Sequence, residues 1–260
     1  MTGLSGILCP GRSRIVHAAA APSYMDDLVV FFPCTDGAPN YPILTNTKGD
    51  DATIYSAGSG VTYPGGQQYP YFDGINDYAS AGNLVEANIA DNLAFCIWFD
   101  DWNAVGNTNA IIGKYESAGD KRQWRLYRTY SNMVFWITKD GTYGSGAYIA
   151  GTGPSSGAEW FYCGVYQYVT NGTSKMYLFS NRGTPDTLYQ ENYSLMAPGP
   201  LHTDDGYFAL AAVNAQSTPI QFAEMSVKRA EVFHVSSQYI AGWLDGTYPE
   251  LRRQAGSGQQ

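Results

Sequence analysis

Charge is scarce in this chain. Only 15% of its 260 residues are Asp, Glu, Lys or Arg, and 23 acidic against 15 basic residues leave a net charge of −8. A nucleic-acid surface needs a basic footprint, and the densest basic cluster is merely Lys121, Arg122, Arg125 and Arg128, so nucleic acid is not expected as a partner. Long apolar runs are missing as well. Leu28–Cys34 and Phe208–Val213 have core-strand lengths, far below the ~18–20 residues of a membrane span. The opening MTGLSGILCPG has no Lys or Arg ahead of its short apolar patch, so a secretory signal is not expected. Cysteine is sparse: Cys9, Cys34, Cys96 and Cys163 form no CxxC pair, which excludes a zinc ribbon or dithiol redox motif. Cys96 and Cys163 fall in strand-like runs and are expected as buried free thiols.

The usual catalytic sets are also lacking. No Gly-x-Ser-x-Gly elbow is present. Three histidines, His17, His202 and His234, are scattered through an N-terminal segment, a Pro-rich loop and a strand end. Gly58-Ser-Gly60 and Gly151-Thr-Gly153 lack the further glycines and the helix of a phosphate cradle.

What the chain does have is aromatic residues and turn formers: 21 Tyr, 11 Phe and 6 Trp beside 29 Gly and 13 Pro. Aromatics favour strands, while Gly and Pro favour tight turns. Strand-like runs follow one another from Leu28, among them Leu93–Phe99, Trp124–Tyr130, Met133–Thr138 and Glu159–Val169. Later ones are Lys175–Phe179, Tyr207–Val213, Ile220–Met225 and Ala230–Val235, and only Ser236–Leu244 has helical spacing. Such a series predicts an all-β sandwich or jelly roll. Residues 1–27 read as an extended N-terminal arm, 28–248 as the sandwich and 249–260 as a polar C-terminal tail. The arm is too poor in large apolar residues for its own core. Arg12 and Arg14 are its candidate contacts with acidic patches on a neighbouring subunit, which implies a homo-oligomer.

The landmarks, taken in order, resemble the laminin-G-like, concanavalin A-like lectin/glucanase superfamily. Leu28-Val-Val-Phe-Phe-Pro-Cys-Thr-Asp-Gly resembles its first strand and turn, and Phe72-Asp-Gly-Ile-Asn-Asp-Tyr78 its most recognisable motif. Phe95-Cys-Ile-Trp98, Ile111-Ile-Gly-Lys114 and Trp160-Phe-Tyr-Cys-Gly-Val165 are similar to later strands; Val227–Ser236 with Ile240 and Leu244 resembles the closing strand and its helical turn. The resemblance implies a concanavalin A-like jelly-roll sandwich of two antiparallel sheets, without implying one activity.

The glucanase branch of that superfamily works with carboxylates on alternate residues of one strand, and a retaining pair needs them ~5–5.5 Å apart. Glu224 and Glu231 are the nearest match, but their odd spacing puts them on opposite faces of a regular strand, with Lys228 and Arg229 between. No enzyme is expected. Relatives in the superfamily often bind calcium, for which Asp73 and Asp77 are weak candidates; the same residues also suit an Asp-Gly turn that satisfies its own amides. No other cofactor is implied.

The alternation in Trp160–Val169 separates Phe161, Cys163 and Val165 from Trp160, Tyr162, Tyr166 and Tyr168. The first set is expected in the inter-sheet core and the second outside, extended by Trp124 and Trp136. This makes Trp124, Tyr162, Tyr166 and Tyr168 the candidate residues for a ligand or partner. Two functions follow. One is a non-enzymatic structural or attachment protein of a large assembly, foremost a phage virion protein (capsid decoration, tail or fibre), located in the virion. The alternative is an extracellular carbohydrate-binding lectin module.

Overall fold

The computed structural model describes residues 23–34, 43–56, 69–196 and 199–256. The first strands are β1 (Leu28–Phe32), β2 (Ile43–Leu44), β3 (Ala52–Tyr55), β4 (Tyr71–Asp73) and β5 (Tyr78–Gly82). There follow β6 (Leu93–Asn103), β7 (Thr108–Glu116), β8 (Lys121–Thr129), β9 (Asn132–Ile137) and β10 (Ala147–Thr152). The last are β11 (Trp160–Gln167), β12 (Ser174–Ser180), β13 (Tyr189–Met196), β14 (Phe208–Leu210) and β15 (Glu224–His234), then helices α1 (Ile240–Leu244) and α2 (Thr247–Gly256). Every paired strand is antiparallel. One sheet runs β1-β15-β6-β11-β12-β13 with β4 on β15, and the other runs β10-β9-β8-β7-β14-β5-β3-β2. This is the expected jelly-roll sandwich.

Strand side chains alternate between faces, so each sheet contributes one row per strand to the layer between them. That layer holds Phe32, Phe72, Phe95, Phe99, Trp124, Leu126, Phe135, Tyr162 and Phe208. A second apolar layer covers the outside of the seven-stranded sheet, where Trp98, Phe161, Cys163 and Phe233 meet Trp243 of α1. Both faces of β11 are therefore buried. Cys96 and Cys163 are buried free thiols, as expected.

The chain ends described here correct two expectations. Residues 23–27, assigned to the arm, pack on their own domain. Tyr24 stacks on Tyr248 at 4.2 Å, and the Asp27 carboxylate accepts from the Ser236 N–H at 2.9 Å. Residues 249–256, assigned to a tail, belong to α2. There Arg252 Nε donates to Glu231 Oε2 at 2.9 Å, Arg252 Nη2 reaches Glu231 Oε1, and Arg229 Nε joins the same oxygen at 2.7 Å. Burial pulls the Arg252 guanidinium down, and the Glu231 carboxylate outweighs it and holds it above its ordinary value.

β15 is also irregular. Its pairing with β6 shifts register between Val227 and Arg229, and the buried inner residues change from Val227 to Ala230, three apart. This bulge flips the side-chain parity. Glu224 and Glu231 consequently share one face, contrary to the spacing argument. They remain apart by seven residues of strand, roughly 23 Å.

Lys114 marks another consequence of burial. Its Nζ donates to Asn83 Oδ1 at 2.7 Å and to the Leu84 carbonyl at 3.2 Å. Desolvation lowers the amine to about 8, against the raising influence of Asp204, Asp205 and Glu86. An unfolded Lys titrates near ~10.4, so the unfolded chain binds more protons between pH ~8 and ~10 and stability rises with pH there. Thermal melts of wild type and Lys114→Met are expected to diverge in favour of the wild type over that window, by no more than about 3 kcal/mol. The raised Cys96 thiol works in the opposite direction in both proteins and cancels. A pH-independent difference would contradict the buried charge.

Candidate functional site

Two of the exposed aromatics, Tyr143 and Tyr148, stand on the outer side of the eight-stranded sheet. In β8, Trp124 and Leu126 point into the core, which turns Arg125 and Tyr127 outward. In β9, Met133, Phe135 and Ile137 are core, and Val134 and Trp136 are outside. In β10, Ile149 is core, so Tyr148 and Ala150 face out. Register then lines up Arg125, Trp136 and Tyr148 across three strands, and Tyr127, Val134 and Ala150 beside them.

Most of these side chains, with Thr129, Tyr143 and Gly146, enclose a cleft of about 320 Å³. Trp136 is the buried floor, while Tyr143 and Tyr148 form the rim at 62% and 65% exposure. Tyr143 stacks on Trp136 with ring centroids 6.0 Å apart. Gly146 lies so close to the indole that a Cβ there would sit 2.2 Å from Trp136 Nε1. A glycine is needed for that approach.

The loop that carries Tyr143 is held by Asp140. Its Oδ1 accepts from the Thr142 N–H at 2.9 Å, from the Thr142 hydroxyl at 2.8 Å and from the Ser145 hydroxyl. These donors, Ser145 first, hold the carboxyl down at about 2, so the loop stays anchored at neutral pH. From the other side, β13 seals against β10: Glu191 Oε2 accepts from the Thr152 N–H at 3.0 Å. Rim and floor are thus preorganised.

Beside the cleft lies Arg125. Its Cζ is 4.1 Å from the Tyr115 ring centroid, 4.0 Å from Tyr127 and 5.8 Å from Trp136. Flat aromatic faces with polar edges and a few fixed hydroxyls suit a ligand that is apolar on its faces and polar at its rim, such as a sugar ring.

The residues singled out in the sequence lie elsewhere. Tyr162, Tyr166 and Trp124 are fully buried between the sheets, the reverse of the face expected. The Tyr162 hydroxyl donates to the Thr152 carbonyl at 2.7 Å and the Tyr166 hydroxyl to the Gly199 carbonyl at 2.5 Å, so neither needs water or a ligand. Tyr168 is half-buried and packs against the same core. Of the expected outer set, Trp136 alone reaches the cleft. Arg12 and Arg14 lie outside the described residues. Asp73 Oδ1 accepts from the N–H groups of Ile75 (2.8 Å) and Asn76 (3.2 Å), and Asp77 Oδ2 from that of Asp73 (3.3 Å). These carboxylates close a turn. Among the described residues no group of three or more His, Cys, Asp or Glu is placed to hold a metal ion.

No family model matches the chain, and no curated protein does. Solved structures do. The receptor-binding domain of botulinum neurotoxin type G aligns at TM-score 0.56 and 11% identity, over 88% of this chain and 51% of that one. A botulinum neurotoxin type C structure, from a toxin that depends on two ganglioside molecules to enter cells, aligns at TM-score 0.61 and 12% identity, over 90% and 52%. The binding domain of botulinum neurotoxin DC, solved with rat synaptotagmin II, aligns at TM-score 0.60 and 11% identity, over 90% and 52%. The chain spans about half the length of each of these structures. At such identities the likeness concerns the fold, a β-sandwich of the lectin-like jelly-roll type.

Proposed function

We propose that this chain is a non-catalytic carbohydrate-binding module, which stacks a sugar ring in the cleft formed by Tyr127, Trp136, Tyr143 and Tyr148. The observation that carries the reading is the cleft itself. Two exposed tyrosines stand over a buried tryptophan on an outer sheet face, with Asp140 and Gly146 spent on holding them there. The receptor-binding neighbours support a recognition role for the sandwich, and they favour the lectin reading over a virion part. Catalysis has no support in the carboxylates. Glu224 accepts from the Tyr71 hydroxyl at 2.6 Å and from Asn103 at 3.0 Å, and Glu231 is enclosed by Arg229 and Arg252. An attachment role in a larger particle would use the same cleft.

Tyr148→Ala is expected to lower affinity for a bound glycan by about fivefold or more, since each stacked ring contributes on the order of 1 kcal/mol. Its melting temperature should stay within a degree or two of wild type, because an exposed ring contributes little to the core. A glycan array followed by titration of the best ligand tests this. A blank array for the wild type, or unchanged affinity in Tyr148→Ala and Tyr143→Ala, would remove the proposal.

A further inference from the structure

The cleft has a charge beside it that no described residue balances. Arg125 is only 4% exposed and lies between two tyrosine rings. Its side-chain acceptors are neutral, Gln221 Oε1 at 2.9 Å and the Tyr127 hydroxyl, and its Nε has no partner. Among the described residues no Asp or Glu pairs with it. The contrast with other arginines is sharp: Arg122 has Asp120, Arg182 has Glu191, Arg229 and Arg252 have Glu231, and Arg253 has Glu250. Arg128 also lacks a carboxylate, but it is partly solvated and donates to the Gly106 carbonyl.

A guanidinium stays protonated at any ordinary pH, so burial without a counter-ion leaves a full positive charge in a poorly polarisable setting. Two of the rings against it, Tyr127 and Trp136, also line the cleft. A ligand in the cleft therefore feels this charge through one layer of aromatic carbon. A neutral ring gains nothing from that field, whereas an anion gains attraction. The chain as a whole carries −8 and would repel an anion, so any preference for one must come from this local charge.

We infer that the cleft selects an acidic saccharide, one whose carboxylate or sulfate lies beside the Tyr127 and Trp136 rings and balances Arg125. The inference rests on the carbohydrate reading above and adds the charge class of its ligand. Arg125 acts here through the rings, as a specificity determinant.

The test is calorimetric titration of the full chain with three oligosaccharides of equal length: a neutral glucan, a uronic-acid oligomer and a sulfated glycan. Either acidic ligand is expected to bind at least about tenfold tighter than the neutral one at low salt, and the gap should close toward 0.5 M salt. The two acidic arms tell carboxylate from sulfate. Arg125→Leu keeps an apolar stem between the tyrosines and should erase the acid preference while neutral binding survives. Should that variant fail to fold, the salt series on the wild type decides. Equal or tighter binding of the neutral glucan, an acid preference insensitive to salt, or a preference retained in folded Arg125→Leu would overturn the inference and leave the carbohydrate reading standing. No binding to any of the three, together with a blank array, would end both.

Discussion

Arg252→Ala is expected to destabilise the protein by about 3–5 kcal/mol in urea or thermal unfolding. Arg252 supplies two of the hydrogen bonds to the fully buried Glu231 carboxylate, and it also fixes α2 against β15. Without it the charge of Glu231 keeps only Arg229 as a partner, in a site shared with the Cys96 thiol. The loss comes from stranding a carboxylate, so removing both charges should cost less. The double variant Glu231→Leu/Arg252→Met is expected to recover part of the stability, because apolar side chains of similar volume need no compensation there, while Arg229 loses its carboxylate but keeps solvent and the Ala255 carbonyl. A single-variant loss below about 1 kcal/mol, the range of surface ion pairs, would show that the pair does not hold the helix.

Tyr162→Ala should be as damaging for a different reason. The ring is buried between the sheets, stacked with Trp160 at 5.6 Å and Phe99 at 6.0 Å, and its deletion leaves a cavity. Aromatic-to-alanine changes in such cores cost about 3–5 kcal/mol. Tyr162→Phe isolates the hydroxyl and should cost about 1 kcal/mol, the net worth of the bond to the Thr152 carbonyl plus an unpaired acceptor. If Tyr162→Ala instead melted like the wild type, the ring would belong to a surface, as its sequence pattern suggested.

That reversal shows where the sequence is legible and where it is not. Period two correctly separated Phe161, Cys163 and Val165 from Tyr162 and Tyr166. It does not say which set faces the other sheet once helices cover the outside, because both sets are then apolar enough to be buried. Tyrosine adds to the ambiguity: its hydroxyl makes it look like a surface residue, and two backbone carbonyls satisfy it in the core. Glu224 and Glu231 fail for a related reason, since parity counts only along a regular strand and β15 has a bulge. The cleft was harder still. Tyr127, Trp136 and Tyr148 come from three strands and meet only through register, which no single segment encodes. A local signal did exist in Tyr143-Gly-Ser-Gly146-Ala-Tyr148, where small residues separate two tyrosines. The series of strands and the order of motifs, by contrast, were readable because each is local.

The stacking of Tyr24 on Tyr248 brings the two ends of the described chain together outside the seven-stranded sheet. The aromatic cleft opens from the opposite side of the sandwich. A body held against that outer layer therefore stands behind the module, and the cleft is displayed outward.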